Sequence, residues 1–406
     1  MKVLLVEPSF PIPPKSTNHR DFLPLGLLKL AAYHREQKDK VKLVRGNKKV
    51  RNFKPDEIKI SSLFTYWSSY VWDSVNFYKK EYPNAKVIVG GIYASLMPEH
   101  CKQSGCDDVF IGVDEKAEKC KPAYDLVDVD YQIVHTSRGC VRKCKFCGTW
   151  KIEPKFKYKK SIKDEICSNR IIFYDNNLLA NPYIEEILKE ISEVSYNGRV
   201  VYCECQCGID GRLLTPKLAE LIKKARFINP RIAWDHDYSE HKLIKKQLDT
   251  LVKAGYNTKD IYVFMLYNWD YDFIGMEKKR LKCWEWGVQI ADCRFRPLNQ
   301  TFDNYDQKNP QTSNDYYIHP KWTDAEVKQF RRNVRMQNIC VRHKFPFYSK
   351  DLEQKRIDKE LAKRVKSMSK LEIMRLHKNG KLSDYWYPDT VTIPEVSRTH
   401  IVPAPQ

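Results

Sequence analysis

The chain has 406 residues, enough for two or three domains, and 42% of them are hydrophobic, which excludes wholesale disorder. It carries 71 Lys and Arg against 51 Asp and Glu, a formal net charge of +20. This excess predicts an anionic partner, with nucleic acid first and a membrane surface second, although a solvated basic surface would have the same composition. No apolar run reaches the about 18 residues that a membrane-spanning helix needs.

The N-terminal segment MKVLLVEPSFP meets an acidic residue and a proline within eight positions. This pattern predicts a buried first strand and not a signal peptide. The thirteen cysteines then belong to a reducing compartment, where clustered thiols bind metals more often than they form disulfides. We therefore expect a cytoplasmic protein without a membrane span.

Residues 1 to about 125 alternate short apolar runs with helical patterns, the rhythm of an open parallel sheet of the Rossmann-like type. The predicted strands are KVLLVEP, KVKLVRG, IKISSLF, AKVIVGG and CDDVFIG, with helices at LPLGLLKLAAYHREQ and YVWDSVNFYKKEYP. Gly90 and Gly91 directly follow a buried strand, where such sheets bind ligands, so both are candidate cofactor-binding residues. A plain tight turn would give the same pair.

A second alternating array begins near Tyr131 and predicts a partial (β/α)6 barrel with its chemistry on the loops after the strands. Its predicted strands are YQIVHTS, RIIFYD, RVVYCECQ, RIAWDH, IYVFMLYN and VQIADCRF. Helical patterns lie between them at SIKDEICSN, YIEEILKEISEV, PKLAELIKKAR, HKLIKKQLDTLVKAG and GMEKKRLKCWEWG. The order of the strands cannot be read from the sequence.

After about Asn309 the rhythm gives way to a basic, mainly helical C-terminal extension. Residues 321–381 hold eighteen Lys or Arg against seven Asp or Glu, interleaved with Phe330, Phe345, Phe347 and Tyr348. The α/β chain is thus predicted to have domains at 1–125, 126–308 and 309–406. Basic residues among aromatics suit phosphate contacts and base stacking, and a helical lid with a solvated basic face is the other interpretation.

Cys140, Cys144 and Cys147 form a C-x3-C-x2-C motif on the loop after the first strand of the second array. Cysteine thiolates are the normal ligands of iron–sulfur clusters. A structural zinc would need a fourth ligand, for which His135 and Cys167 are the nearest donors. A four-iron cluster held by three cysteines would leave one iron open to a small molecule.

With Phe146 before its last cysteine, the motif resembles the CxxxCxxC signature of the radical S-adenosylmethionine enzymes. The resemblance implies a 4Fe–4S cluster on the three cysteines. Its open iron would chelate the amino and carboxylate groups of S-adenosylmethionine, and Phe146 would lie near the adenine. Reductive cleavage would then give a 5′-deoxyadenosyl radical that abstracts hydrogen from a substrate. The motif's place after the first strand of a partial barrel is similar to its place in that family.

The same resemblance implies a further set of cofactor-binding residues. FYDNNLLANP looks like the family's second-strand element, so Asp175, Asn176 and Asn177 would receive the methionine amino group, although an Asx turn would have the same sequence. After the third strand, Glu204, Gln206 and Arg212 would meet the ribose or carboxylate. Strand alternation puts Cys203, Cys205 and Cys207 on one face, where they are core residues or, less naturally, ligands of a second cluster.

Polar and aromatic groups also follow the later strands of the array. WDHDYSEH and LYNWDYD make Asp235, His236, Asp237, Tyr267 and Asn268 candidates for contact with adenosine or substrate, and a surface loop is the alternative. CRFRPL adds Arg294 and Arg296, either of which could meet a carboxylate or phosphate. The sequence designates no catalytic residue.

The first domain resembles the cobalamin-binding-type domain that often precedes this radical core. The resemblance rests on LPLGLLKLAAY, AKVIVGGIYASLMPEH and DDVFIGVDE, and with the core it covers residues 1 to about 300. The DxHxxG sequence that supplies a cobalt ligand in many such proteins is absent between the first strand and its helix. Whether cobalamin is bound therefore stays open.

The resulting hypothesis is a radical S-adenosylmethionine enzyme acting on an unidentified substrate, with cobalamin-dependent C-methylation as one reaction. It would take electrons from an external reductant of the flavodoxin or ferredoxin type. An RNA or a peptide substrate could dock on the basic C-terminal extension. The alternative is a nucleic-acid-binding or RNA-modifying protein in which the cysteine cluster, iron–sulfur or zinc, is mainly structural.

Overall fold

The computed structural model describes residues 1–12, 22–344 and 375, which fall into two units. The first unit contains Met1–Cys207, Lys224–Ile228 and Arg296–Tyr317. The second contains Gly208–Lys223, Asn229–Phe295 and the described part of Ile318–Gln406. The predicted domain boundaries stay predictions, since the first unit combines the N-terminal sheet with the start of the second array. Three aromatic residues of the predicted basic extension lie outside the described residues: Phe345, Phe347 and Tyr348.

The N-terminal part of the first unit contains five strands and five helices. They are β1 (Lys2–Glu7), α1 (Leu25–Glu36), β2 (Lys40–Arg45), β3 (Glu57–Ser62), α2 (Ser68–Glu81), β4 (Lys86–Gly91), α3 (Ile92–Leu96), α4 (Pro98–Lys102), β5 (Asp108–Val109) and α5 (Glu115–Glu118). All pairings are parallel, in the order β2-β1-β3-β4-β5. The predicted Rossmann-like sheet is confirmed.

The interior strand β1 is buried on both faces, which explains its continuous apolar run. Val3 and Leu5 pack with Leu27 of α1, whereas Leu4 and Val6 pack in the cluster that contains Val71 of α2. Helices on both faces of a parallel sheet remove the need for an alternating polar face. The chain leaves β1 for β2 on one side and continues from β3 on the other, so the carboxyl edge of β1 and β3 is a topological switch point.

The rest of the first unit contains three strands of the second array with short additions. Its elements are β6 (Gln132–Val134), β7 (Ser137–Arg138), α6 (Thr149–Ile152), β8 (Lys157–Tyr158), β9 (Arg170–Phe173), α7 (Ile184–Glu193), β10 (Ser195–Tyr196), β11 (Arg199–Val200) and β12 (Tyr202–Cys205). A parallel sheet has the order β12-β9-β6, and β7 pairs with β8 in antiparallel fashion. The first three predicted strands of the array are therefore confirmed.

The helix predicted at SIKDEICSN is wrong, because this segment forms only a 3₁₀ turn at Lys163–Glu165. The side-chain oxygen of Gln132 accepts hydrogen bonds from the backbone N–H groups of Cys167 and Ser168. These donors are thereby tied to strand β6 instead of to a helical turn. This long-range contact therefore outweighs the local helix propensity of the segment.

The second unit contains the last three strands of the second array. It also contains a helix of nine residues and three longer helices. Its elements are α8 (Pro216–Lys224), β13 (Arg231–Ala233), α9 (His241–Lys253), β14 (Tyr262–Tyr267), α10 (Phe273–Glu285), β15 (Gln289–Arg294) and α11 (Asp324–His343). The parallel order is β13-β14-β15. All six predicted strands are thus present as two three-stranded sheets, and their assembly into one partial barrel stays a prediction.

Helix α11 confirms the predicted helical character of the C-terminal extension over its described part. A capping box starts it, with Thr323 accepting from the N–H of Glu326 and Glu326 accepting from the N–H of Thr323. Its inner face buries Val327, Phe330 and Val334 completely. The helix is therefore part of the core of the second unit and not a detached basic arm.

Candidate cofactor site

The three cysteines lie on the cluster loop, residues 139–148, between β7 and α6. None of the three forms a disulfide, and all three are half-buried. The backbone N–H of Arg142 points at Cys140 Sγ, 3.3 Å away, and the carbonyl of Cys144 accepts from the N–H of Cys147 and from Trp150 Nε1, both at 3.1 Å. An N–H aimed at sulfur stabilises a thiolate, the form that binds iron.

The two ends of the cluster loop are closed by Glu153. Its carboxylate accepts from the backbone N–H of Gly139 and from the guanidinium of Arg138, each at 2.7 Å. Gly139 has φ +75°, and a methyl group on it would stand 2.5 Å from the carbonyl oxygen of Lys155. Glycine is required here by both the left-handed backbone and the close approach of two chain segments.

The donor set of the cluster loop fits an iron–sulfur cluster. Among the described residues, no three His, Cys, Asp or Glu side chains converge as the ligands of a single metal ion. A four-iron cluster makes a different demand, because each cysteine binds a separate iron atom. Three half-buried thiols on one closed loop satisfy it.

Asp175 contacts Thr136 and Ser137, which precede the cluster loop in the chain. It is fully buried, and its carboxylate accepts four hydrogen bonds, from the N–H and hydroxyl of Thr136 and of Ser137, at 2.6–3.0 Å. Burial raises the pKa of this carboxyl, and the four hydrogen bonds oppose the increase. Its contacts join the ends of β6 and β9, so a role toward an amino group stays a prediction.

Asn176 is connected to the cluster loop through Thr149, a residue that the sequence did not single out. The Thr149 hydroxyl donates to Asn176 Oδ1 at 3.0 Å and lies 3.3 Å from Cys147 Sγ. The only sequence signal for Thr149 was its position two residues after the last cysteine. Asn177 is buried, with 3% of its surface exposed. Phe146 is half-buried on the cluster loop itself.

The carboxyl end of β12 carries Glu204 and Gln206. Glu204 is buried, and the backbone N–H of Gln206 donates to the carbonyl of Phe173 at the end of β9. Gln206 Nε2 is buried and hydrogen-bonds to no described residue. Cys203 and Cys205 are buried, as expected for core residues, whereas Cys207 is exposed.

Gly90 and Gly91 end strand β4, at the carboxyl edge of the N-terminal sheet. Gly91 has φ +106°, and a methyl group on it would collide with the backbone of Ser62 in β3. Helix α3, which begins directly after Gly91, packs against α6, which begins directly after the cluster loop. A methyl group on Gly148 would meet Leu96 of α3 at 3.4 Å. The sheet edge and the cluster loop are therefore neighbours within the first unit.

The same edge exposes apolar side chains after three consecutive strands. They are 42–60% exposed: Phe64, Ile92, Phe110 and Ile111. Two glycines in front of such apolar groups fit a large, flat, partly apolar ligand. The described part of the loop between β1 and α1 contains no histidine that could serve as a cobalt ligand.

In the second unit, several predicted contact residues serve the fold. Tyr267 is 1% exposed and packs on Phe330, with ring centroids 5.0 Å apart. Asn268 accepts from the N–H of His319 at 2.9 Å. Asp237 caps the turn at Ser239. Tyr267 and Asn268 are thus buried in the second unit, whereas Asp237 lies on an exposed loop, and a contact with adenosine or substrate stays a prediction.

Arg212, Asp235, His236 and Arg294 also lie in the second unit. Arg212 donates to Asp210 at 2.7 Å, and Arg294 is buried. Burial raises the pKa of the Asp235 carboxyl. Arg296, in the first unit, donates to Asp303 at 2.6 Å.

Lys279 of α10 is a buried residue that the sequence analysis missed. Its ammonium group donates to the carbonyls of Trp234 and His236, at 2.7 and 2.9 Å, and lies over the Trp234 ring. Burial lowers its pKa to about 8. Lys279 fixes the loop after β13, and its place in a Lys-rich helix gave no sign that it was buried.

Known proteins resemble this chain in one domain family and in overall fold. A family model described as the B12 binding domain matches residues 17–120. The chain has a fold similar to that of the radical S-adenosylmethionine methyltransferase TsrM from Kitasatospora setae with cobalamin and a 4Fe–4S cluster bound. The TM-score is 0.57 at 11% identity, over 74% of this chain and 76% of that chain. The same enzyme with tryptophan substrate and the analogue aza-SAM gives 0.56 at 11% identity, over 74% of each chain. Curated proteins gave no match.

These matches confirm the predicted α/β fold and the cobalamin-binding type of the first domain. The resemblance to radical enzymes with such a domain is confirmed at the level of the fold. No helix among the described residues has the length and apolar character required to cross a membrane.

Proposed function

We propose that the chain is a radical S-adenosylmethionine enzyme that binds a 4Fe–4S cluster on Cys140, Cys144 and Cys147 and cobalamin on its first domain, and that it methylates its substrate. The observation that carries this proposal is the contact between α3 and α6. It brings the carboxyl edge of the N-terminal sheet beside the cluster loop. Methyl transfer between the two cofactors' sites requires such proximity.

In this proposal the cluster supplies the electron that cleaves S-adenosylmethionine, and cobalamin carries the methyl group. The protein's own residues hold these groups and exclude water. Glu153 keeps the cluster loop closed, and the Thr149 hydroxyl reaches both Cys147 and Asn176. Asn176 and Gln206 offer polar groups at the ends of β9 and β12 for the amino acid part of S-adenosylmethionine.

An Ile92→Asp substitution tests the cobalamin part of the proposal. Ile92 is 42% exposed, so a carboxylate there leaves the core intact and repels an apolar ligand face. We expect at least a tenfold loss of hydroxocobalamin affinity, measured from the absorbance of the protein-bound fraction after gel filtration. Ile274→Asp, at a 56% exposed position of α10, should bind like the wild type. Equal binding by all three proteins would contradict a cobalamin site at this edge.

An RNA partner has support in the second unit. A groove of about 560 Å³ between α8 and α9 is lined by Trp286, by the carboxylates Glu220 and Asp249 and by five lysines: Lys242, Lys245, Lys246, Lys253 and Lys282. Asp249 pairs with Lys245, so the lysines remain in excess. Phe330, by contrast, is buried in the core and cannot stack on a base. The predicted reductant and the peptide alternative stay predictions.

Truncation after Lys344 tests whether RNA docks on the groove or on the basic extension. This truncation keeps helix α11. Removing all residues from 321 onward would delete α11 as well. We expect salt-sensitive binding of a structured RNA to fall at least tenfold in a Lys242→Gln, Lys246→Gln double variant, measured by fluorescence anisotropy. If only the truncation weakens binding, the partner docks on the extension. If neither change weakens it, the RNA proposal fails.

A further inference from the structure

A cavity of about 590 Å³ lies on the side of the cluster loop's base in the first unit. It is lined by residues between 113 and 121, by His135 to Arg138, by residues between 152 and 159 and by Glu165. None of the three cysteines, Asn176, Gly90 or Gly91 lines it. Its volume is in the range of small-molecule sites, and it is separate from the residues assigned above to the cofactors.

The His135 side chain lines the cavity and carries a buried hydrogen-bond donor. The side chain is 7% exposed, and its Nε2 lies 2.9 Å from a guanidinium nitrogen of Arg138. A guanidinium can only donate, so Nε2 accepts, and the neutral ring carries its proton on Nδ1. Burial and the neighbouring Arg138 charge lower the pKa of His135 well below its usual value, which keeps the ring neutral. Nδ1 is buried and hydrogen-bonds to no described residue.

Arg138 contributes a second donor. Its two terminal nitrogens donate to His135 and Glu153, but its Nε is buried and hydrogen-bonds to no described residue. A carboxylate oxygen of Glu118 lies 3.9 Å from Nε, beyond hydrogen-bonding distance, and is held by Lys29 at 2.6 Å. Two buried N–H groups of adjoining side chains thus require an acceptor, because a buried donor without one is destabilising.

The remaining wall favours a negative charge on the ligand. Lys119, Lys121 and Lys155 line the cavity, and no described carboxylate lies within ion-pair distance of them. The acidic residues of the wall are engaged, Glu115 by Lys157, Glu165 by Lys159 and Glu153 by Arg138. Apolar surface comes from Val113, Ile152, Pro154 and Tyr158.

We propose that this cavity is a binding site for a small anionic molecule with an apolar portion, whose carboxylate or phosphate oxygens accept hydrogen bonds from His135 Nδ1 and Arg138 Nε. The site is distinct from the cluster and cobalamin sites and does not depend on them. Because Arg138 also holds Glu153, the ligand would contact the residues that close the cluster loop.

Calorimetric titration of the full chain with inorganic phosphate and, separately, with malonate tests the proposal and distinguishes the two anions. A matched pair of variants identifies the donor. The amide of His135→Asn reproduces the Nδ1 donor, whereas His135→Gln reproduces only the Nε2 position. We expect saturable 1:1 binding of at least one anion by the wild type and His135→Asn, and at least a tenfold weaker affinity in His135→Gln.

Absence of saturable binding of either anion, or equal binding by both variants, would overturn the proposal. A variant on the exposed wall guards against misfolding at the buried position. Lys155→Glu adds negative charge to the cavity without touching the core, and we expect it to weaken the same binding at least threefold. Unchanged affinity in Lys155→Glu would show that the anion binds elsewhere and would also overturn the proposal.

Discussion

At the scale of single residues, the cluster loop depends on a glycine that is not a ligand. Gly139 precedes Cys140, and its N–H donates to Glu153 while the carbonyl of Lys155 lies against its Cα. This contact lets the chain segments on the two sides of the loop meet. A side chain here would separate them and displace the first cysteine from the other two.

Gly139→Ala tests this role, with Gly198→Ala as the matched control. Both glycines have a positive φ, +75° and +73°, so both substitutions incur the left-handed backbone cost of about 1–2 kcal/mol. Only Gly139 lacks space for a methyl group, since nothing lies within 4 Å at Gly198. We expect Gly139→Ala to lose about 1–3 kcal/mol more in urea unfolding and to retain less iron. Equal losses would show that the close approach is unimportant.

The motif residues could be assigned from the sequence, but their contacts could not. The spacing of Cys140, Cys144 and Cys147 shows that they share one loop. It cannot show that Asp175 faces Thr136 and Ser137, because that depends on the register of β6 against β9. Thr149 and Lys279 were missed for the same reason, since their partners are distant in sequence or on another element.

At the scale of elements, helices α10 and α11 are joined by a buried polar network. Arg280 is fully buried and forms a forked ion pair with Glu277 at 2.7–3.0 Å. Gln337 accepts from Arg280, and Asn333 donates to Glu277. The network fixes one register between the two helices, because each polar group would otherwise be buried without a partner.

Glu277→Gln should therefore destabilise the chain strongly. It leaves the Arg280 charge buried without its counterion, which costs about 3–5 kcal/mol. The control is Glu285→Gln, which breaks the ion pair with Lys282 on the same helix, where both side chains are partly exposed. That loss should be at most about 1 kcal/mol. Urea unfolding measures both, and similar losses would contradict a buried network.

Strands and amphipathic helices could be predicted, and the exceptions arise from contacts with residues that are distant in sequence. Parallel strands such as β1 carry continuous apolar runs, because helices cover both faces of the sheet. SIKDEICSN has a helical pattern, but the side chain of Gln132 accepts hydrogen bonds from two of its backbone N–H groups. Likewise, Phe330 among basic residues suggested a nucleic-acid surface, whereas its helical face is buried against Tyr267.

At the scale of the whole molecule, two features that were predicted separately are neighbours in the first unit. The sequence placed Gly90 and Gly91 at one sheet edge and the cysteines on one loop. It could not place α3 against α6, because packing between elements far apart in the chain is not encoded in a local pattern. The contact between α3 and α6 supports a joint role for the glycine pair and the cysteine motif more strongly than either motif does alone.

The most direct test of the central claim is reductive cleavage of S-adenosylmethionine by the anaerobically reconstituted chain. With dithionite, the wild type and the control Cys167→Ala, at an exposed cysteine outside the cluster loop, should yield 5′-deoxyadenosine and methionine in liquid chromatography. Cys144→Ala should yield neither and should lose iron. Absence of 5′-deoxyadenosine from the wild type, or an unchanged iron content and yield in Cys144→Ala, would contradict the account.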